Sequence, residues 1–132
     1  MIWKIVIAFP IFMHGLANLG GAVAPWTKSL AGFSNVPWLL SRDVTYQSRI
    51  GRIFSLFWLI STLKLWAAAA GIFLVQPWWT TLAIIGAAVS LVTILVWWKA
   101  VPPGARFGAV FDAVLLVALV SPLSEKISQL IQ

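Results

Sequence analysis

Four long apolar stretches, separated by turn-rich and charged segments, dominate the hydrophobic pattern of the chain. They cover about residues 2–23, 50–75, 78–98 and 107–120. Apolar helices of roughly 20 residues cross a bilayer, and 132 residues leave room for about four of them but not for an added soluble domain. The pattern predicts an all-α integral membrane protein, an antiparallel bundle of four transmembrane helices that forms a single membrane domain over residues 1–132.

Tryptophan pairs define the third span best. Trp78 and Trp79 stand at one end and Trp97 and Trp98 at the other, so the stretch between them rises ~28 Å as a helix. Indole rings favour the membrane interface, and this rise is close to the hydrocarbon thickness. Small residues at three- and four-residue spacing indicate close helix packing in lipid; they are Ala67 to Gly71, Ala83, Gly86, Ala87 and Ser90.

The connection between the first two spans is long and aromatic. Its segment 32–40 contains turn residues and is too short to cross a membrane, which predicts an interfacial loop between helices one and two. Trp26, Trp38 and Tyr46 would anchor this loop at the interface. The alternative is a lid over a cavity between the helices.

Composition strengthens the membrane assignment. The chain is 61% hydrophobic and 9% charged, with a mean hydropathy of +0.98, whereas a soluble domain is about 45–50% apolar. The net charge of +6 comes without a basic run that would indicate a nucleic-acid partner. The first and third connections hold most of the basic residues: Lys28, Arg42, Arg49, Arg52, Lys99 and Arg106. The positive-inside rule therefore predicts a prokaryotic cytoplasmic membrane protein with both termini outside.

Catalytic and metal-binding chemistry finds little support in the sequence. The absence of cysteine excludes disulfides, thiolate catalysis and iron–sulfur ligation within the chain. One histidine and one mid-span carboxylate are too few ligands for a zinc site, so no metal is expected. No phosphate-binding glycine loop, serine nucleophile elbow or HExxH pattern occurs, which favours a protein that is not an enzyme.

Polar residues inside the spans are the candidates for function. Pro10, His14, Asn18 and Gly21 form one stripe on the first helix, which is expected to face inward and not toward lipid. The polarity of His14 and Asn18 favours a retained helix over a signal peptide. Lys64 lies near the middle of the second span, where a cation costs about 3 kcal/mol or more. The helical rise places Asp112 of the fourth span, the expected counter-charge, within ~9 Å of the Lys64 level. The predicted polar core therefore consists of His14, Asn18, Lys64 and Asp112.

Three roles for this core remain open. It is a structural pair of charges, a pocket for a small lipophilic ligand such as a quinone or lipid, or a short path for proton- or ion-coupled transport. In a pocket, Lys64 and His14 would donate hydrogen bonds to a ligand oxygen while Asp112 tunes the lysine. The protein would then serve as a ligand binder or as an accessory subunit of a larger membrane complex, a homo-oligomer or a hetero-complex.

The first helix resembles the DoxX-like membrane proteins. The resemblance rests on the segment from Phe12 to Leu19, with the step His14-Gly15, followed by a charged residue midway along the second of four helices. Family members often carry a lysine four residues after that histidine and an acidic residue in the second helix, where Asn18 and Lys64 stand here. The resemblance implies a four-helix bundle and, for some members, quinone-linked oxidation of sulfur compounds with redox membrane partners.

Overall fold

The computed structural model describes all 132 residues and is helical over 73% of them, without strands. Four segments are long and apolar enough to span a membrane: Ile2–Trp26, Arg49–Phe73, Trp79–Val96 and Pro103–Val120. The all-helical fold and the four membrane-length helices predicted from hydropathy are therefore confirmed, and they indicate a multi-pass membrane protein.

Six α-helices follow one another along the chain. They are α1 (Ile2–Val23), α2 (Arg49–Phe54), α3 (Leu56–Phe73), α4 (Trp79–Val96), α5 (Arg106–Val120) and α6 (Leu123–Leu130). Short 3₁₀ turns cover Ala24–Trp26, Leu30–Gly32 and Pro103–Ala105. The second predicted span is interrupted at Ser55, whose hydroxyl donates to the Arg52 carbonyl at 2.6 Å. The Ser48 hydroxyl caps α2 by accepting from the Gly51 N–H.

Small residues let the long helices pack closely in sequence order, α1 against α3, α3 against α4 and α4 against α5. A Cβ atom added at Gly86 of α4 would lie 2.9 Å from the Leu65 Cγ of α3. A Cβ atom at Gly21 of α1 would lie 2.6 Å from the Trp58 ring. Larger side chains at these two positions would force the helices apart.

The α1–α5 seam, the boundary between these two helices, is different. The two helices do not pack closely along their backbones. Pro10 and Ala17, which flank His14 on the same face of α1, are exposed. The proline predicted to lie on an inward stripe therefore faces outward. Toward one end of the bundle Ala8 of α1 and Leu119 of α5 belong to the same buried cluster.

The loop over residues 27–48 folds back onto the end of the bundle. Tyr46 is fully buried, its hydroxyl donates to the Gly21 carbonyl at 2.7 Å, and its ring stacks on Phe33 at 5.0 Å. Burial raises the pKa of the Tyr46 phenol, so the hydroxyl keeps its proton. Tyr46 is thus a core residue and not the surface anchor expected from sequence, whereas Trp26 is 59% exposed.

Helix α6 was not among the predicted elements. Its sequence alternates apolar and polar residues at helical spacing, and Ile127 packs against the buried cluster that includes Ile131. Glu125 and Lys126 are exposed. The helix therefore lays an apolar face on the bundle and a polar face outward, as an amphipathic helix does at an interface.

Candidate functional site

A layer of polar side chains crosses the bundle at the level of His14. It joins all four long helices and consists of His14 and Asn18 from α1, Ser61 from α3, Ser90 from α4 and Asp112 from α5. We call these five residues the polar layer. Each of the five residues lies on an apolar helix and is largely buried. Its polar atoms therefore need hydrogen-bond partners inside the protein.

Asn18 is the centre of this layer. The Ser61 hydroxyl donates to the Gly86 carbonyl at 2.8 Å, so its oxygen is left to accept from Asn18 Nδ2 at 2.9 Å. Asn18 Nδ2 also lies 3.1 Å from Ser90 Oγ. These directions fix the orientation of the amide, because only its nitrogen can serve Ser61. Both amide hydrogens are thereby used inside the protein.

His14 and Asp112 form the single contact within ion-pair distance between a basic and an acidic side chain of the protein. His14 Nε2 lies 2.8 Å from Asp112 Oδ1, and the two side chains are 9% and 0% exposed. The contact is close but poorly aligned, since neither carboxylate oxygen accepts a hydrogen bond of good geometry. His14 Nε2 is also 3.2 Å from Ser90 Oγ, and the imidazole packs against the Phe111 ring at 4.8 Å.

Lys64 stands apart from the polar layer. It is half-buried and forms neither an ion pair nor a hydrogen bond. The expectation that Asp112 is the counter-charge of Lys64 is therefore wrong for this structure. The reason is the order of the helices: α5, which carries Asp112, packs on α4 and not on α3, which carries Lys64. His14 approaches Asp112 across the α1–α5 seam instead.

A cleft of about 360 Å³ lies beside the polar layer. His14 and Asn18 form its polar wall, and Phe33, Trp58, Ile94 and Gly108 are among its other lining residues. No charged aspartate, glutamate, lysine or arginine lines it. The lining residues Ala17, Ala31 and Gly104 are exposed, so the cleft opens along the α1–α5 seam.

A second cavity of about 320 Å³ lies at another end of the protein, between the turn at residues 75–79 and α6. Gln76, Ser128 and Gln132 are its polar lining residues, and no titratable side chain reaches it. The cleft beside His14 combines a cavity with buried ionisable groups, and we therefore regard it as the candidate site.

The sequence identified three of the five members of the polar layer. His14, Asn18 and Asp112 come together, and Lys64 does not join them. Ser61 was missed, and Ser90 was interpreted only as a small packing residue. Their signal was weak because serine in a membrane helix is common at tight contacts, and only the facing asparagine gives it a polar role. No three histidine, aspartate or glutamate side chains gather, so the layer can bind protons and hydrogen-bonding groups and offers no metal cage.

Comparison with protein-family models, with curated proteins and with solved structures gave no match for this chain. The site is therefore interpreted from its own geometry.

Proposed function

We propose that this chain binds a small lipophilic molecule, such as a quinone or a lipid, in the cleft beside His14 and Asn18. The observation that carries the proposal is the cleft of about 360 Å³, with apolar and aromatic walls and two polar side chains on one side. Sites for small lipophilic ligands combine these features. The cofactor would be the bound molecule itself, because the chain holds no cysteine and no cluster of metal-ligating residues.

The membrane arrangement that we propose is an antiparallel four-helix bundle in a prokaryotic cytoplasmic membrane with both termini outside. Pair contacts support the antiparallel order. Gly15 lies against Trp66, while Gly21, later in α1, lies against Trp58, earlier in α3. The basic residues of the first and third connections support the orientation. The loop over residues 27–48 would lie at the interface and also cover the cleft, since Phe33 lines it.

Filling the cleft tests this function. A Cβ atom at Gly20, which lines the cleft, meets no atom within 4 Å, so the side chain of Gly20→Leu starts in open space and adds volume to the cleft. We expect the wild-type protein, purified in mild detergent, to retain a lipophilic molecule that mass spectrometry detects. Gly20→Leu should lower its occupancy at least about tenfold, because the side chain takes the ligand's space.

Ala113→Leu is the matched control, because Ala113 is exposed on α5 and does not line the cleft. It should retain the molecule at the wild-type level. Equal retention by the wild type and by Gly20→Leu would refute binding in this cleft, as would a wild-type protein that carries no lipophile from native membranes.

Lys64 supports a second candidate function, that of an accessory subunit in a larger membrane complex or a homo-oligomer. A mid-span cation without an internal partner is costly, and a carboxylate from another subunit would remove that cost. The resemblance to DoxX-like proteins would make the complex a redox assembly and this chain a subunit of a quinone-linked oxidoreductase. Proton- or ion-coupled transport is less well supported, because the buried ionisable groups of the polar layer are only His14 and Asp112.

Charge removal at Lys64 tests the assembly role. In membranes cross-linked before extraction, we expect Lys64→Met to lose the larger species that the wild type forms, while Lys64→Arg keeps it because the positive charge remains. Gel analysis of the cross-linked chain measures both. A wild-type chain that is monomeric before and after extraction would refute this second function and leave the ligand-binding function intact.

A further inference from the structure

The two ring nitrogens of His14 face different surroundings. Nε2 is held by Asp112 Oδ1 at 2.8 Å and by Ser90 Oγ at 3.2 Å. Nδ1 has no hydrogen-bond partner and is not among the fully buried polar atoms. It lies on the side of Gly108, where an added Cβ atom would be 3.6 Å from Nδ1, and Gly108 lines the cleft. Nδ1 is therefore the ring atom available to a molecule in the cleft.

The number of protons shared by His14 and Asp112 determines whether Nδ1 carries a proton and can donate a hydrogen bond. A neutral pair exists as an imidazolium with a carboxylate, or as an imidazole whose Nε2 accepts the carboxylic O–H. In both arrangements the second ring proton is on Nδ1. An acid proton on the other carboxyl oxygen, Oδ2, would point away from Nε2 and have no acceptor, because Oδ2 has no hydrogen-bond partner.

The remaining arrangement, a neutral imidazole with its proton on Nε2 beside a carboxylate, would leave Nδ1 bare and the pair negatively charged. No cation compensates that charge. Lys64 of α3 is not within ion-pair distance of Asp112, Arg106 of α5 donates to the Trp98 carbonyl, and Ser90 is the polar residue that α4 contributes. Burying an uncompensated charge is strongly unfavourable, so the neutral pair with a proton on Nδ1 is favoured.

The other polar wall of the cleft does not compete as a donor. Both amide hydrogens of Asn18 are engaged by Ser61 and Ser90, so Asn18 has no N–H to offer a ligand. No aspartate, glutamate, lysine or arginine lines the cleft to pair with a charged head group, which disfavours an anionic or cationic ligand. Phe33 and Trp58 provide flat apolar walls for a ring or chain.

We infer that His14 Nδ1 donates a hydrogen bond to the carbonyl oxygen of a neutral lipophilic ligand, with Asp112 holding the ring in the donating state. This inference rests on the proposed ligand-binding function and names the chemical class of the ligand. Free carbonyl compounds and the ester carbonyls of membrane lipids share that chemistry.

A matched pair of probes tests the inference. Decanophenone and decylbenzene differ only in a carbonyl in place of a methylene group. Calorimetric titration of the full chain in detergent should show the ketone binding about tenfold more tightly, the value of one well-made hydrogen bond in an apolar site. In His14→Phe both probes should bind with equal affinity, while His14→Gln, which keeps an N–H donor, should retain part of the preference.

The possible results distinguish the carbonyl inference from the proposed ligand-binding function. Equal binding of the two probes to the wild type would overturn the carbonyl inference and leave the cleft as a binding site. Failure of both to bind, with Gly20→Leu indistinguishable from wild type, would overturn the proposed function itself. Displacement of bound decanophenone by a diacyl phosphatidylcholine would identify a lipid ester as the carbonyl source, and no displacement would identify a free carbonyl compound.

A direct measurement on the unmodified protein is also available, because His14 is the only histidine of the chain. Ring-¹⁵N histidine labelling therefore gives the nitrogen signals of this one side chain. At neutral pH the Nδ1 signal should be that of a protonated nitrogen. A bare Nδ1 would overturn the inference even if the variants fail to fold.

Discussion

The α3–α4 interface and the α1–α5 seam are built from helices of similar apolar character but pack in different ways. At α3–α4, Gly86 brings the backbone of α4 against Leu65, and buried alanines continue the contact. At the seam, the backbones stay apart, and a polar side chain from each helix, His14 and Asp112, makes the connection. One boundary is filled by small residues and the other is left partly open.

This difference shows where the molecule can accept a ligand. Close packing of small residues gains dispersion contacts and leaves no room for another molecule where Gly86 meets Leu65. A boundary that is bridged by two polar side chains keeps space beside them, and the cleft occupies that space. The α3–α4 interface therefore acts as scaffold, and the α1–α5 seam carries the candidate site.

The largest expected effect comes from inserting volume into the scaffold. Gly86→Leu places its Cβ atom 2.9 Å from Leu65 Cγ, so the two helices must separate. We expect a loss of about 3 kcal/mol in unfolding free energy, typical of severe overpacking. Denaturation of the purified protein by SDS, followed by circular dichroism, measures the change.

Gly20→Leu is the control at the seam, because its Cβ atom meets nothing within 4 Å. Replacing a helical glycine should leave stability unchanged or raise it by up to ~1 kcal/mol. If both substitutions destabilise the protein equally, the two boundaries are packed alike and the comparison fails.

An intermediate effect is expected from Asn18→Leu in the polar layer. The substitution removes the hydrogen bonds to Ser61 and Ser90 and leaves those hydroxyls with fewer partners. Hydrogen bonds between membrane helices average about 0.6 kcal/mol, so the unfolding free energy should fall by about 1–2 kcal/mol. The same SDS titration applies.

Thr93→Val serves as the control for this prediction. Thr93 is buried on α4, but its hydroxyl bonds only to the Val89 carbonyl within the same helix. Valine keeps the shape of the side chain, so the loss should be about half a kilocalorie or less. A loss equal to that of Asn18→Leu would mean that links across helices contribute no more than local ones.

Hydropathy predicted the long helices well, because the length of an apolar run is a property of the local sequence. The first span was predicted over residues 2–23, and α1 covers Ile2–Val23. The break at Ser55 and the short helix α6 were not predicted. Ser55 lies within an apolar run, and α6 is too short and polar to resemble a span.

The partners of the polar residues could be predicted only in part. Helical spacing correctly put His14 and Asn18 on one inward face. The helical rise, which gives the level of each residue in the bundle, placed Asp112 near them. The choice between His14 and Lys64 as the partner of Asp112 depends on which helices are neighbours. The order of the helices is set by packing among all four of them, and the hydropathy of any single helix does not predict it.

The smallest effect that we predict concerns the loop that borders the open seam. Tyr46 donates its hydroxyl to the Gly21 carbonyl and stacks on Phe33, which lines the cleft. Tyr46→Phe keeps the ring and removes one buried hydrogen bond, so the loop should open more easily by about 1 kcal/mol. Amide hydrogen exchange over residues 30–40 should therefore quicken about fivefold, while α3 and α4 keep their wild-type rates. Equal acceleration in α3 and α4 would mean that the loop and the scaffold unfold as one unit, and that the seam is no more open than the rest of the bundle.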